Sequence, residues 1–336
     1  MLDGVTTSSQ LPVSWVRPHD LSGLPTYDGE LPPLDHDRAC WPGRLATEGP
    51  VPLHVRETPG PAAETGVFVH GLGGSSTNWT DLAGLLSVRM NGLLVDLPGF
   101  GHSRPPRGYD FTLRSHADAV AGYLDGLGRG PVHLFGNSMG GVITMIIAAE
   151  RPDLVRSLTL VSPAVPDLRP SPARLSDPRM ALAFLPLVGA SARRGLAALS
   201  DRERAMQLIR LCFANPDLIP PQRLAAAEAE FTARRAMPWA RLALDRSTVG
   251  LVRAWLARKP ASLWTVAGRV SAPTLVVWGT HDRLVGVRKA ARTAAALPNS
   301  RLLVLPECGH VAQMECPEPV ARATLGMLTA ADGGQW

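Results

Sequence analysis

Residues 132–144 read Val-His-Leu-Phe-Gly-Asn-Ser-Met-Gly-Gly-Val-Ile-Thr, and the fold is decided by how this stretch turns. The apolar run Val132–Phe135 suits a parallel strand covered on both faces. From Gly140 to Pro152 the composition is that of a buried helix. Between the two, Gly136-Asn137-Ser138-Met139-Gly140 fits G-x-S-x-G, a sharp strand-to-helix turn. A side chain at Gly136 or Gly140 is expected to collide with the adjoining strand or helix. Ser138 then stands exposed at a helix N-terminus, where backbone N–H groups favour negative charge. A serine that merely caps a helix after a glycine turn would carry the same five letters; the flanking strand and helix argue for the first reading.

Working outward, further short apolar runs predict strands at Gly66–His70, Gly92–Asp96, Leu158–Val161, Thr274–Trp278 and Arg301–Leu305, with helical stretches between them. This alternation predicts a doubly wound, parallel α/β sheet. Residues 44–57 suit an opening antiparallel hairpin, and residues 1–45, rich in Pro, Gly, Asp and Ser, an irregular N-terminal arm. Residues 166–260 break the pattern, with helix-like pieces and no good strand. Ser200-Asp201-Arg202-Glu203 has capping-box spacing, and Pro220-Pro221 opens a helix running to about Arg235. The expected division is an arm over 1–45, a core over 46–165 and 261–332, and a helical cap over 166–260. Such a cap, inserted after the sixth strand, covers the sheet edge where ligands bind in open α/β folds.

A serine hydroxyl is a weak nucleophile near neutral pH and needs a base. His310 follows the strand at Arg301–Leu305, and Asp282 follows the one at Thr274–Trp278, so both are expected at the same sheet edge as Ser138. The chain order Ser, Asp, His, each after its own strand, is the order used with this turn. His281 is a rival base, but a residue adjacent to Asp282 is expected to point away from Ser138. The oxyanion hole is expected from two backbone amides: Met139, after the nucleophile, and Leu72 in the turn His70-Gly71-Leu72-Gly73-Gly74. His70 is read as structural, fixing that turn through backbone hydrogen bonds.

Bulk composition narrows the function classes. The 336 residues carry 45% hydrophobic and 19% charged side chains, values of a globular protein. The net charge of +5 comes from scattered arginines, with Lys259 and Lys289 the only lysines, and forms no concentrated stripe for nucleic acid. Four cysteines are too few for a disulfide framework, and Cys308 and Cys316 around His310 fit no common zinc spacing. No run approaches the ~18 apolar residues of a membrane span. The first residues lack a basic start and apolar core of a signal peptide, so the expected location is cytoplasmic.

From about residue 50 to 330 the sequence resembles the α/β-hydrolase superfamily, through its HG-x-G turn (His70–Gly73) and its D-x-P-G-x-G-x-S segment (Asp96–Ser103). The resemblance implies a mostly parallel eight-stranded sheet with helices on both faces, a helical cap, and a Ser-His-Asp triad without a cofactor. Serine at 138 separates the chain from the haloalkane dehalogenases and epoxide hydrolases of that superfamily, which use aspartate there. Gly136–Gly141, Cys308-Gly309-His310 and Ala312-Gln313 are similar to the hydrolases of meta-ring-fission products. Val311 stands where those enzymes commonly carry tryptophan, and HGLGGS replaces their HG-x-GPG turn.

The expected activity is hydrolysis of a small or medium apolar carboxylic ester. Carbon–carbon cleavage, thioester or lactone hydrolysis, acyl transfer to another acceptor, or ligand binding without turnover are the alternatives. Leu185, Leu187, Phe213, Trp239 and Trp255 are candidates to line an acyl pocket, or simply to pack cap helices together. Sequence leaves the substrate and oligomeric state open.

Overall fold

The apolar runs become strands because both of their faces are covered. In the computed structural model, which describes residues 24–61, 63–168 and 198–336, eight strands form one sheet in the order β1-β2-β4-β3-β5-β6-β7-β8. β1 (Gly43–Ala46) and β2 (Leu53–Glu57) are the antiparallel hairpin, and β2 is also antiparallel to β4 (Asn91–Val95). β3 (Thr65–Val69), β5 (Val132–Asn137), β6 (Val155–Val161), β7 (Thr274–Gly279) and β8 (Ser300–Leu305) complete the sheet in parallel. The predicted α/β class and mostly parallel eight-stranded sheet are thus observed. β6 begins three residues earlier than the apolar run suggests, because exposed Arg156 interrupts the hydrophobic pattern without interrupting the strand.

Alternate side chains on each strand enter opposite cores. Val67 and Val69 join Leu134, Val142 and Val276 on one side, beneath α2 (Leu113–Leu127) and α3 (Met139–Glu150). Phe68, Phe135 and Val277 face the other way, toward α1 (Thr80–Leu86) and a C-terminal helix at Pro317–Asp332. Phe68 and Phe135 stack there with ring centroids 4.2 Å apart. Residues 24–42 lie over this second face: Leu24, Tyr27, Leu31 and Trp41 pack on it, and the Tyr27 amide donates to the Arg322 carbonyl at 3.0 Å.

Among the described residues between β6 and β7, three longer helices follow one another: α4 (Asp201–Cys212), α5 (Pro221–Arg235) and α6 (Ala240–Leu256). The Ser200 capping box is formed, with the Ser200 hydroxyl accepting from the Glu203 amide and the Glu203 carboxylate accepting from the Ser200 amide. α5 starts at Pro221, as its proline pair predicts. α7 (Leu263–Ala267) precedes β7, α8 (Ala290–Ala296) lies between β7 and β8, and α9 (Ala312–Glu315) and α10, the Pro317–Asp332 helix, follow β8. No helix of the described residues is long and apolar enough to cross a membrane.

Strand order reverses at β3, whose neighbours are β4 and β5, and a crevice opens at the carboxyl ends of β3 and β5. Val69 pairs with Gly136, so the turn after β3 and the turn after β5 emerge side by side. The loops after β7 and β8 leave from the same edge. Contact across the crevice is close enough that a Cβ at Gly140 would overlap the carbonyl oxygens of Val69 and His70, as foreseen for this position. Gly140→Ala should therefore lower stability by about 2 kcal/mol or more, measured as the urea midpoint, since backbone cannot retreat as a flexible side chain would. An unchanged midpoint would show that α3 shifts freely.

Candidate active site

Ser138 is the N-cap of α3 and adopts φ 54°, ψ −118°, a backbone conformation costly for a residue with a side chain. Three hydrogen bonds hold it there. The Ser138 amide donates to the Val161 carbonyl at 3.1 Å, and the Ser138 carbonyl accepts from Ala164 at 2.9 Å and Val142 at 3.3 Å. Its side chain faces a cavity of about 350 Å³ between the sheet edge and helices α4–α6.

His310 and Asp282 meet at this cavity's edge. The His310 ring bonds through Nδ1 to Asp282 Oδ2 at 2.8 Å, and both side chains are buried. The other Asp282 oxygen accepts from the amides of Leu284 and Val285, each at 2.9 Å, which fixes the carboxylate. With Nδ1–H directed at a carboxylate, the free lone pair of the ring is on Nε2. His310 and Ser138 both line the cavity, and Asp282 adjoins it through its bond to the His310 ring. His281, by contrast, is exposed beside Thr280.

The turn after β3 is organised by His70. Its Nε2 accepts from the Leu97 amide at 3.0 Å, so the ring is neutral and Nδ1–H donates to the Gly71 carbonyl at 2.7 Å. Burial pushes the His70 pKa down, in keeping with a neutral ring. In a trans peptide the Gly71 C=O and Leu72 N–H point in opposite directions, so this bond turns the Leu72 N–H away from His70. Neither the Leu72 nor the Met139 amide has an intramolecular acceptor among the described residues.

Asp96 anchors the far side of this turn. Its carboxylate accepts from the Ser76 amide at 2.6 Å, the His102 amide at 2.9 Å and the His54 ring at 2.8 Å. Burial alone would raise its pKa, but these bonds more than offset that and bring it down to about 2.

Two polar residues escaped the sequence reading. Asn137 Nδ2 donates to the carbonyls of Val161 at 3.0 Å and His310 at 3.1 Å, tying the histidine loop to the strand that carries Ser138. Its place immediately before Ser138 was the available signal. Glu315 accepts from the amides of Gly309 at 2.7 Å, Ala214 at 3.1 Å and Asn215 at 2.8 Å, and the His310 amide donates to the Cys212 carbonyl at 2.6 Å. The loop carrying His310 is thereby bonded to the end of α4. No local sequence pattern marks Glu315.

Apolar side chains dominate the cavity wall, including Ile209, Phe213, Leu251, Trp255 and Met314. Phe213 and Trp255 line it as expected. Trp239, the N-cap of α6, does not; it packs under the Arg104 guanidinium, 5.6 Å from the ring centroid. Leu185 and Leu187 lie outside the described residues. Among the described residues no three His, Cys, Asp or Glu side chains converge to hold a metal ion.

Residues 67–317 match the family model for the alpha/beta hydrolase fold. The chain belongs to this family. Relatives resemble it along most of its length. A 2-hydroxy-6-oxononadienedioate/2-hydroxy-6-oxononatrienedioate hydrolase of Cupriavidus pinatubonensis is 27% identical, over 82% of this chain and 90% of that one. A dihydrolipoyllysine-residue acetyltransferase component of the acetoin cleaving system of Cupriavidus necator is 29% identical over 76% of this chain, which spans 61% of that longer protein. The crystal structure of a 2-hydroxy-6-oxo-6-phenylhexa-2,4-dienoate hydrolase from Rhodococcus sp. strain RHA1 superposes with a TM-score of 0.69 at 20% identity, covering 86% of this chain and 99% of that one.

The depressed Asp96 value gives this α/β-hydrolase a defined acid sensitivity. Because the folded-state pKa lies below the ordinary 3.8, the stabilisation is present at neutral pH and is lost as pH falls from about 4 through about 2. Asp96→Asn should cost about 2 kcal/mol at pH 7, and the gap to wild type in urea titrations should shrink toward pH 2. A gap independent of pH would mean that the Asp96 charge contributes nothing.

Proposed function

We propose that this α/β-hydrolase is a serine hydrolase acting on carboxylic esters, with Ser138 as nucleophile, His310 as general base and Asp282 as the group that orients it. The observation that carries the reading is the 2.8 Å bond between His310 and a doubly anchored Asp282, beside the cavity into which Ser138 projects from a strained turn. In this reading His310 Nε2 takes the Ser138 proton as Oγ attacks the ester carbonyl. The oxyanion is received by the amides of Leu72 and Met139, each worth on the order of 3 kcal/mol in the transition state. Collapse of the intermediate expels the alcohol, which takes its proton from His310. Water, deprotonated by the same ring, then releases the acid and restores Ser138.

We propose further that residues 46–165 and 261–332 are the catalytic core, residues 166–260 a cap, and residues 1–45 an irregular N-terminal arm, whose described residues 24–42 lie over the core. The apolar wall supplied by α4 and α6 favours an apolar acyl or alkyl group. Carbon–carbon bond hydrolysis is the second reading, favoured by the likeness to the 2-hydroxy-6-oxononadienedioate/2-hydroxy-6-oxononatrienedioate hydrolase and by the similarity of Gly136–Gly141 and Cys308-Gly309-His310 to hydrolases of meta-ring-fission products. Both readings use the same nucleophile and base.

Labelling with a fluorescent fluorophosphonate and turnover of p-nitrophenyl esters of increasing acyl length test the proposal. Ser138→Ala should abolish labelling and lower kcat about 10⁶-fold, and Asp282→Asn should lower kcat about 10⁴-fold with labelling much slowed. Turnover should peak at a medium acyl length. Folded wild-type protein that neither labels nor turns over any ester of the series would overturn the ester-hydrolase reading.

A further inference from the structure

The cavity wall nearest the His70–Gly74 turn differs in character from the rest. Glu230 and Arg234, four residues apart and so on one face of α5, both reach this wall. Glu230 Oε1 accepts hydrogen bonds from the hydroxyls of Ser75 and Thr77. Arg234 Nη2 donates to the Gly73 carbonyl at 2.6 Å, and its guanidinium lies 5.0 Å from the Phe231 ring centroid. Burial pushes the Glu230 carboxyl up and the Arg234 guanidinium down, while the opposite charge of each works against that shift. Two ionisable side chains committed to a single turn inside a largely apolar cavity call for a reason beyond packing.

The turn explains it. From the sheet side it is fixed at both ends, by His70 on the Gly71 carbonyl and by Asp96 on the Ser76 amide. Between these anchors lie Leu72, Gly73 and Gly74, where two consecutive glycines leave the backbone loose and a single bond, Gly74 amide to Gly71 carbonyl at 3.1 Å, closes it internally. Arg234 and Glu230 grip this stretch from the opposite side.

We propose that Glu230 and Arg234 are positioning residues: from α5 they hold the Gly71–Thr77 turn so that the Leu72 amide stays aimed at the oxyanion. This rests on the serine-hydrolase reading above. It makes α5 part of the device that stabilises the transition state, in addition to a wall of the cavity. An amide displaced by a fraction of an ångström still admits substrate but stabilises the oxyanion less, so the signature is in kcat.

The test compares wild type with Glu230→Ala, Glu230→Gln, Arg234→Met and Arg234→Lys on p-nitrophenyl acetate and on a longer-chain ester, alongside fluorophosphonate labelling rates and thermal midpoints. Glu230→Ala and Arg234→Met should lower kcat about 10- to 100-fold on both esters by the same factor, with KM within about threefold and labelling slowed in parallel. Glu230→Gln, which keeps an acceptor for the two hydroxyls, and Arg234→Lys, which keeps a donor for Gly73, should recover most of the rate. Should Glu230→Ala not fold, the Arg234→Met and Arg234→Lys pair decides alone. Unchanged kcat, or a change in KM confined to the longer ester, would overturn the inference and make the pair a wall or a substrate contact. Wild type inactive in every assay would overturn the serine-hydrolase reading as well, whereas active wild type with an unaffected Glu230→Ala would overturn this inference alone.

Discussion

The approach of α3 to the end of β3 is the contact on which the site depends. Only a hydrogen fits at position 140 between the helix and the carbonyl oxygens of Val69 and His70. That approach forces the chain to reverse within one residue, and the residue at the reversal is Ser138, at φ 54°. Tight packing on one side of the turn thus becomes exposure of a hydroxyl on the other. The strain is carried by hydrogen bonds to Val161, Ala164 and Val142, which belong to the neighbouring strand's exit and the helix itself.

Polar groups then transmit this geometry sideways along the sheet edge. Asn137 reaches from β5 to the His310 loop, Asp282 holds the His310 ring, and His70 sets the plane of the Gly71–Leu72 peptide. Each is buried, and each finds partners in backbone amides or carbonyls, whose positions are set by the sheet. Rigidity of the proposed catalytic groups is therefore inherited from strand pairing, the most strongly determined part of the fold.

Much of this was legible in the sequence. Apart from His133, Thr274 and Arg301, the runs at Val132–Phe135, Thr274–Trp278 and Arg301–Leu305 are apolar because strands covered on both faces have little polar side to show, so their positions, and the loops after them, could be read directly. Ser138, Asp282 and His310 follow from those loops. What could not be read depends on distance along the chain. Glu230 meets Ser75 across 155 positions and Glu315 meets Ala214 across 101, and neither residue has a local pattern to announce it. Trp239 was a candidate for the cavity on hydrophobicity alone, a property that does not say which way a corner residue turns.

Glu315 joins two parts of the chain that are far apart in sequence. One carboxylate collects amides from both sides of a junction, Gly309 before the His310 ring and Ala214–Asn215 after α4. The helices over the cavity and the loop of the proposed base are thus joined by this carboxylate, together with the bonds of the His310 amide to the Cys212 carbonyl and of Asn215 Nδ2 to the Glu307 carbonyl. Exchanging those helices with a relative's, as one might to graft a new substrate range, would have to carry this joint intact. The transferable module therefore includes Glu315, the partner of Asn215, and is discontinuous in sequence though continuous in space.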